Sequence, residues 1–105
     1  MKYLRIKKQA DFQRLFQKGK RASSSSMTLL YVPAPAMRMG ISVGKKHGKS
    51  VQRNRIKRLV REAFRLNQDK MKGTYSFIIL PKVNEEYSFK VFERDLQWMI
   101  KKEKL

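Results

Sequence analysis

Two stretches of this chain carry most of its charge, and no fold can bury either of them. The 105 residues hold 26 Lys plus Arg against 8 Asp plus Glu, a formal net charge of +18. Residues 1–22 contain eight basic side chains and one acid, and residues 45–61 contain eight basic side chains and no acid. Together these blocks supply fifteen of the net positive charges. Charge that serves only solubility is spread over a surface and mixed in sign. Concentrated in this way, it calls for one or two basic faces on a near-neutral body. The partner class that matches such faces is a polyanion.

The remaining composition excludes several other classes. Hydrophobic residues make up 41%, with 6 Phe, 4 Tyr and 1 Trp, enough for one modest core and unlike a disordered chain. The length is that of a single domain, read here as residues 1–105 with 1–7 as a flexible basic arm. The absence of Cys removes disulfides and thiolate metal sites, and a lone His47 cannot build a His-rich metal cage. No apolar run approaches the ~18–20 residues of a membrane span. The basic N-terminus lacks the apolar stretch of a signal peptide. The expectation is a soluble, intracellular domain with no membrane partner and no small-molecule substrate.

Local patterning predicts the elements. Phe12, Leu15 and Phe16 share one face of a short helix over residues 8–18, and Gly19 stands at its end. Residues 20–26, basic and then four serines, read as a mobile loop. Residues 27–32 and 38–43 read as two strands, and the short link between them suggests an antiparallel hairpin. Ser50 is placed to cap a helix over 51–66. Tyr75 to Leu80 reads as a third strand, stopped by Pro81. Ser88 can cap a last helix, in which Phe89, Phe92, Leu96, Met99 and Ile100 keep helical spacing. The order predicts an α+β sandwich, α-β-β-α-β-α, with helices packed on a small mixed sheet of three or four strands.

The helix over 51–66 is the most informative element. With Asn54 at the origin and 100° per residue, Lys57, Arg58, Arg61 and Arg65 fall within roughly 60° of it. Ile56, Leu59, Val60 and Ala63 lie opposite, flanked by Phe64 and Arg53. Like charges at i, i+3 and i+4 repel by a few tenths of a kcal/mol per pair, and a row of phosphates would relieve that repulsion. A solvated basic face is the plain alternative. Asn54 can serve as a late cap, or hydrogen-bond a base edge, a sugar hydroxyl or a metal-bound water.

The run Gly48-Lys49-Ser50-Val51-Gln52-Arg53-Asn54-Arg55-Ile56-Lys57-Arg58 follows the loop Ile41-Ser42-Val43-Gly44-Lys45-Lys46. The opening helix holds Asp11-Phe12-Gln13-Arg14-Leu15-Phe16. These three blocks, in this order, resemble the protein component of bacterial ribonuclease P, over about residues 8–66 and more loosely to the end. His47 stands where an apolar or Asn-like loop residue is expected.

The resemblance implies a cytoplasmic bacterial RNA-binding subunit that assists a catalytic RNA in removing the 5′ leader of precursor tRNA. It implies that Phe12, Phe16, Tyr31, Ser42, Arg53, Asn54, Lys57 and Arg61 bind leader and tRNA. Lys45, Lys46, Arg55, Arg58 and Arg65 are implied to contact the catalytic RNA. No cofactor is expected on the protein, and the Mg²⁺ of the holoenzyme is expected to be held through the RNA. The resemblance also implies a left-handed βαβ crossover, against the usual right-handed rule.

The residues agree that the protein alone is not the catalyst. A protein nuclease needs a positioned acid and base, or carboxylates that hold Mg²⁺. His47 has no evident partner in the sequence, and the acids do not pair as a two-metal site. A structural ribosomal protein would explain charge and size equally well but predicts no aromatic cleft. A duplex-DNA reader would need a partner helix and turn that the sequence lacks. Membrane-surface binding would need an apolar helix face that the core consumes.

Overall fold

The computed structural model describes residues 3–105. Five strands and three α-helices follow along it. Strand β1 is Leu4–Arg5, helix α1 Gln9–Lys18, strand β2 Lys20–Ser23, strand β3 Met27–Pro33 and strand β4 Arg38–Ile41. Helix α2 is Ser50–Asn67, strand β5 Tyr75–Pro81 and helix α3 Phe89–Lys102. The strands form one mixed sheet in the order β1-β4-β5-β3-β2. Strand β5 pairs antiparallel with β3 and parallel with β4, and β1 pairs parallel with β4.

Both faces of the sheet are covered. Leu30 of β3 and Ile78 of β5 pack under α1 with Ile6 and Leu15. Their neighbours Leu29, Tyr31, Phe77 and Ile79 face the other way, into a core with Ile56, Val60 and Phe64 of α2 and Phe92, Leu96 and Met99 of α3. Alternation along a strand sends successive side chains to opposite faces. A strand buried on both faces is therefore apolar throughout, and this is why β3 and β5 read as continuous runs. The edge strands carry exposed cations instead, Arg5 on β1 and Lys20 and Arg21 on β2, a charge pattern that discourages edge-to-edge pairing.

Several sequence expectations change. Residues 3–6 do not form a loose arm: Leu4 and Arg5 pair with Arg38 and Met39, and the flanking Tyr3 and Ile6 are buried. Met1 and Lys2 lie outside the described residues. Residues 20–23 are a strand in register with β3. The serine turn that follows is tied down, because Ser25 Oγ, Ser26 N and Ser26 Oγ all donate to Asp95 Oδ2 of α3.

The sheet therefore has five strands, and β3 and β4 are not a hairpin. Strand β5 lies between them, and its run of Phe77, Ile78 and Ile79 is buried on both sides. In the link, Ala34 N–H donates to Thr74 O and Thr74 Oγ1 donates to Ala34 O. Pro33 and Pro35 have no N–H to give to a hairpin ladder.

Helix termini follow simple sterics. At Gly19 the backbone turns extended, and a Cβ there would lie 2.5 Å from Leu15 O. Helix α2 includes Ser50, so Lys49 precedes it, and neither Lys49 nor Ser88 makes a side-chain cap bond. Helices α2 and α3, which share one face of the sheet, are joined by polar contacts at Asn67. Its Nδ2 donates to Ala63 O and Glu93 Oε2, and Gln97 Nε2 donates to its Oδ1.

Candidate nucleic-acid interface

Strand β1 ends at Arg5, opposite Met39, while β4 runs on to Ile41. The sheet edge beyond that point is open, with α1 on one side and α2 on the other. The resulting groove is about 240 Å³. Arg5, Lys7, Lys57 and Arg61 line it, together with Phe12 and the backbone of Gly40, and no acidic residue does. Helix α1 is fixed over this edge by the Arg38–Asp11 ion pair at 3.0 Å. Four cations beside one half-buried ring suit a strand of nucleic acid, with phosphates among the cations and a base on the aromatic face.

Helix α2 divides its cations according to their angle. Lys57 and Arg61 lie on the flank that turns toward β4, and both are half-buried. Arg53 stands one turn before Lys57 on the same ridge and is also half-buried. Asn54, Arg55 and Arg58 are exposed to solvent. Arg65 is exposed as well, but its guanidinium donates twice to the Glu62 carboxylate. That hydrogen bond holds the Glu62 carboxyl below its ordinary range.

The other expected site residues separate. Phe16 is 48% exposed, one turn along α1 from Phe12, and stands outside the groove lining. Ser42 continues β4, its N–H donating to Ile79 O, and is half-buried.

Lys45 and Lys46 are exposed on a short 3-10 turn, Lys45–His47. His47 is buried beneath them. Its Nδ1 accepts from Gly44 N–H at 3.0 Å, and its Nε2 lies 2.7 Å from Pro81 O. An acceptor at Nδ1 leaves the proton on Nε2, which donates to the carbonyl.

Tyr31 is not placed as a cleft residue. Its ring lies on the opposite face of the sheet, 6% exposed, against Tyr75 and Phe77, and its hydroxyl donates to Glu103 Oε1 at 2.6 Å. Burial, then the bond to Glu103, pushes this phenol up to about 12. Both Leu30 and Tyr31 suit a buried strand, so the apolar pattern does not say which faces α1. Arg5 and Lys7, by contrast, enter the groove without having been singled out, because β1 is too short and too charged to be read as a strand.

Among the described residues no group of three His, Cys, Asp or Glu side chains could hold a metal ion. The groove lining holds four cations and no carboxylate. Among the same residues no helix is long and apolar enough to cross a membrane.

A family model described as Ribonuclease P matches residues 1–104. The chain belongs to the ribonuclease P protein family. It is 42% identical to the ribonuclease P protein component of Clostridium kluyveri, with 97% of this chain and 96% of that one aligned.

Two solved family structures share its fold. The RNase P protein of Staphylococcus aureus is 31% identical, with a TM-score of 0.83 over 95% of this chain and 94% of that one. The RNase P protein of Thermotoga maritima is 28% identical, with a TM-score of 0.83 over 93% and 96%. The α+β sandwich is that of the family, and its parallel neighbours β4 and β5 are joined through α2.

Proposed function

We propose that this member of the ribonuclease P protein family holds the single-stranded 5′ leader of precursor tRNA in the groove between α1, β4 and α2. The exposed cations Lys45, Lys46, Arg55 and Arg58 then bind the catalytic RNA. The observation that carries this reading is the meeting of Phe12 with Arg5, Lys7, Lys57 and Arg61 around one groove without an acid. Phosphates of the leader lie among the four cations, and Phe12 stacks on a base. Phe16, Arg53 and Asn54 extend the surface along the two helices. Arg65 contributes to the catalytic-RNA face by exchanging Glu62 for phosphate.

The chain's own chemistry in this reading is binding and charge neutralisation. Bringing a second RNA to the catalytic RNA costs electrostatic repulsion, and cations between the two strands lower it. The metal ions of cleavage are held by the RNA, as the resemblance implies. The setting is the bacterial cytoplasm.

The test is reconstitution with a bacterial ribonuclease P RNA at low Mg²⁺, following cleavage of precursor tRNA. Strong stimulation that Phe12→Ala and Lys57→Ala both blunt, with binding of mature tRNA spared, is the expected result. Tight general RNA binding without stimulation would make the chain a structural RNA-binding module instead.

A further inference from the structure

A second arrangement of cations around an aromatic ring lies on the outer surface of α3 and shares no residue with the groove. Helix α3 buries Phe92, Leu96, Met99 and Ile100. Trp98 falls on the other side of the helix and is 50% exposed, a large apolar surface that the core does not use. Beside it is a depression of about 570 Å³ between α3 and the segment after α2. Lys70, Lys72, Arg94, Lys101 and Lys104 surround it, and Ile100 and Leu105 supply apolar lining. Lys102 Nζ sits 4.7 Å from the centre of the Trp98 ring.

The acids on and just after α3 that face this side already have partners, and one of them is Arg94 of the depression, whose Nε donates to Asp95 Oδ1 at 3.2 Å. Asp95 accepts from Ser25 and Ser26, Glu93 from Asn67, and Glu103 from Tyr31. The lining of the depression itself holds five cations and no acid. The serine turn between β2 and β3 packs against α3 through Asp95, so this surface is toward the β2 edge of the sheet, across from β1 and the groove.

We propose that this surface is a second binding site for single-stranded RNA. A base stacks on Trp98 and the flanking phosphates lie among Lys70, Lys72, Arg94, Lys101 and Lys104. An unpaired strand is favoured over a duplex because only an unpaired base offers its face to an aromatic ring. A duplex would use the lysines and leave the Trp98 surface idle. The inference stands on α3 and the segments beside it and does not depend on what the groove holds. Its consequence is a protein that can grip RNA at two edges of one sheet.

Trp98 is the only tryptophan of the chain, so its emission reports on this site directly. The full chain carrying Lys57→Ala and Arg61→Ala, which disables the groove, is titrated with labelled decauridylate at fixed salt. Binding is read by anisotropy and by Trp98 fluorescence together.

The expected result is saturable quenching of Trp98 that tracks binding. In the same background Trp98→Ala, which leaves the charge unchanged, weakens binding about tenfold. Trp98→Phe weakens it less, and far-UV circular dichroism is the same for all three. Unchanged emission at saturating RNA would overturn the proposal, and so would Trp98→Ala binding within about twofold of its parent. Equal competition by a duplex of the same phosphate count would reduce the site to general charge attraction and also overturn it. Quenching that follows protein concentration without RNA, with a dimer in sedimentation, would assign the surface to a second copy of the chain.

Discussion

The ring of Phe12 occupies the space that a side chain at Gly40 would fill. A Cβ on residue 40 would lie 2.7 Å from Phe12 Cζ and 3.3 Å from Ile6 Cβ. The first contact is with the tip of a half-buried ring that can swing away. Gly40→Ala is therefore expected to displace Phe12 at small cost to the fold, with a melting temperature within a few degrees of the parent. Affinity for a leader-bearing precursor tRNA should fall about tenfold, the size of a lost base stack, with mature tRNA unaffected. Equal affinity for both RNAs in parent and variant would show that Phe12 is only a packing residue.

Lys57 and Arg61 supply charge to the groove from one ridge of α2. Each phosphate neutralised on a single strand contributes about −0.7 to the log–log salt slope of affinity. Lys57→Ala and Arg61→Ala should each make the slope for a leader oligonucleotide shallower by about that amount. Arg65→Ala should change it less, because Arg65 is already paired with Glu62. Slopes that do not move with Lys57 or Arg61 would place the strand elsewhere.

The parts of this molecule that were legible in the sequence are those whose pattern is local. Helix α2 announces itself because Ile56, Val60 and Ala63 repeat along one face while its cations repeat along the other. Strands β3 and β5 show as apolar runs. Their partners do not show, because pairing is not local: β5 separates β3 from β4 although it follows them in sequence.

The edge strands do not show in the sequence for the opposite reason. β1 and β2 are short and carry the cations that suit an edge, so Arg5 and Lys7 read as an arm and Lys20–Ser23 as a loop. The orientation of Tyr31 is not legible, because a strand buried on both faces has no period from which to read it.

Tyr31 donates to Glu103 on the face of the sheet that packs against α2 and α3. Tyr31→Phe should cost about 1 kcal/mol of stability and leave RNA affinity unchanged, the reverse of what a cleft tyrosine would do. The sign of its pH effect follows from the raised pKa. The folded state holds the phenolic proton up to about 12 against an ordinary value of 10.0. The stabilisation is complete below pH 10 and is lost as pH rises from there toward 12. Denaturant titrations of parent and Tyr31→Phe should therefore converge over that window. A constant difference between them would assign the cost to packing.

Asp95 shows the opposite sign. Burial pushes its carboxyl up, but hydrogen bonds from Ser26, Ser25 and Arg94 outweigh burial and leave it below its ordinary value. Its contribution is complete above the unfolded value of about 4 and is lost as pH falls through the lower folded value. Ser26→Ala should destabilise the chain by about 1–3 kcal/mol at neutral pH, with the difference shrinking in acid. Melting curves from neutral pH down to pH 3 would show this. A difference that does not shrink would mean that Ser26 acts through packing and not through the carboxylate.

His47 joins the Lys45–His47 turn to the end of β5 through two hydrogen bonds, one accepted from Gly44 and one donated to Pro81. Removing the ring leaves a backbone donor and a backbone carbonyl without this partner, at a cost of about 1–3 kcal/mol. His47→Ala should therefore lower stability and speed amide exchange at Gly44. On the proposed role of Lys45 and Lys46, it should also weaken binding of the catalytic RNA, because the two lysines lose the turn that holds them. Lys45→Ala with Lys46→Ala should weaken the same binding without changing exchange at Gly44. If His47→Ala speeds exchange and leaves RNA affinity intact, the turn is a structural latch and the lysines need no fixed geometry to bind.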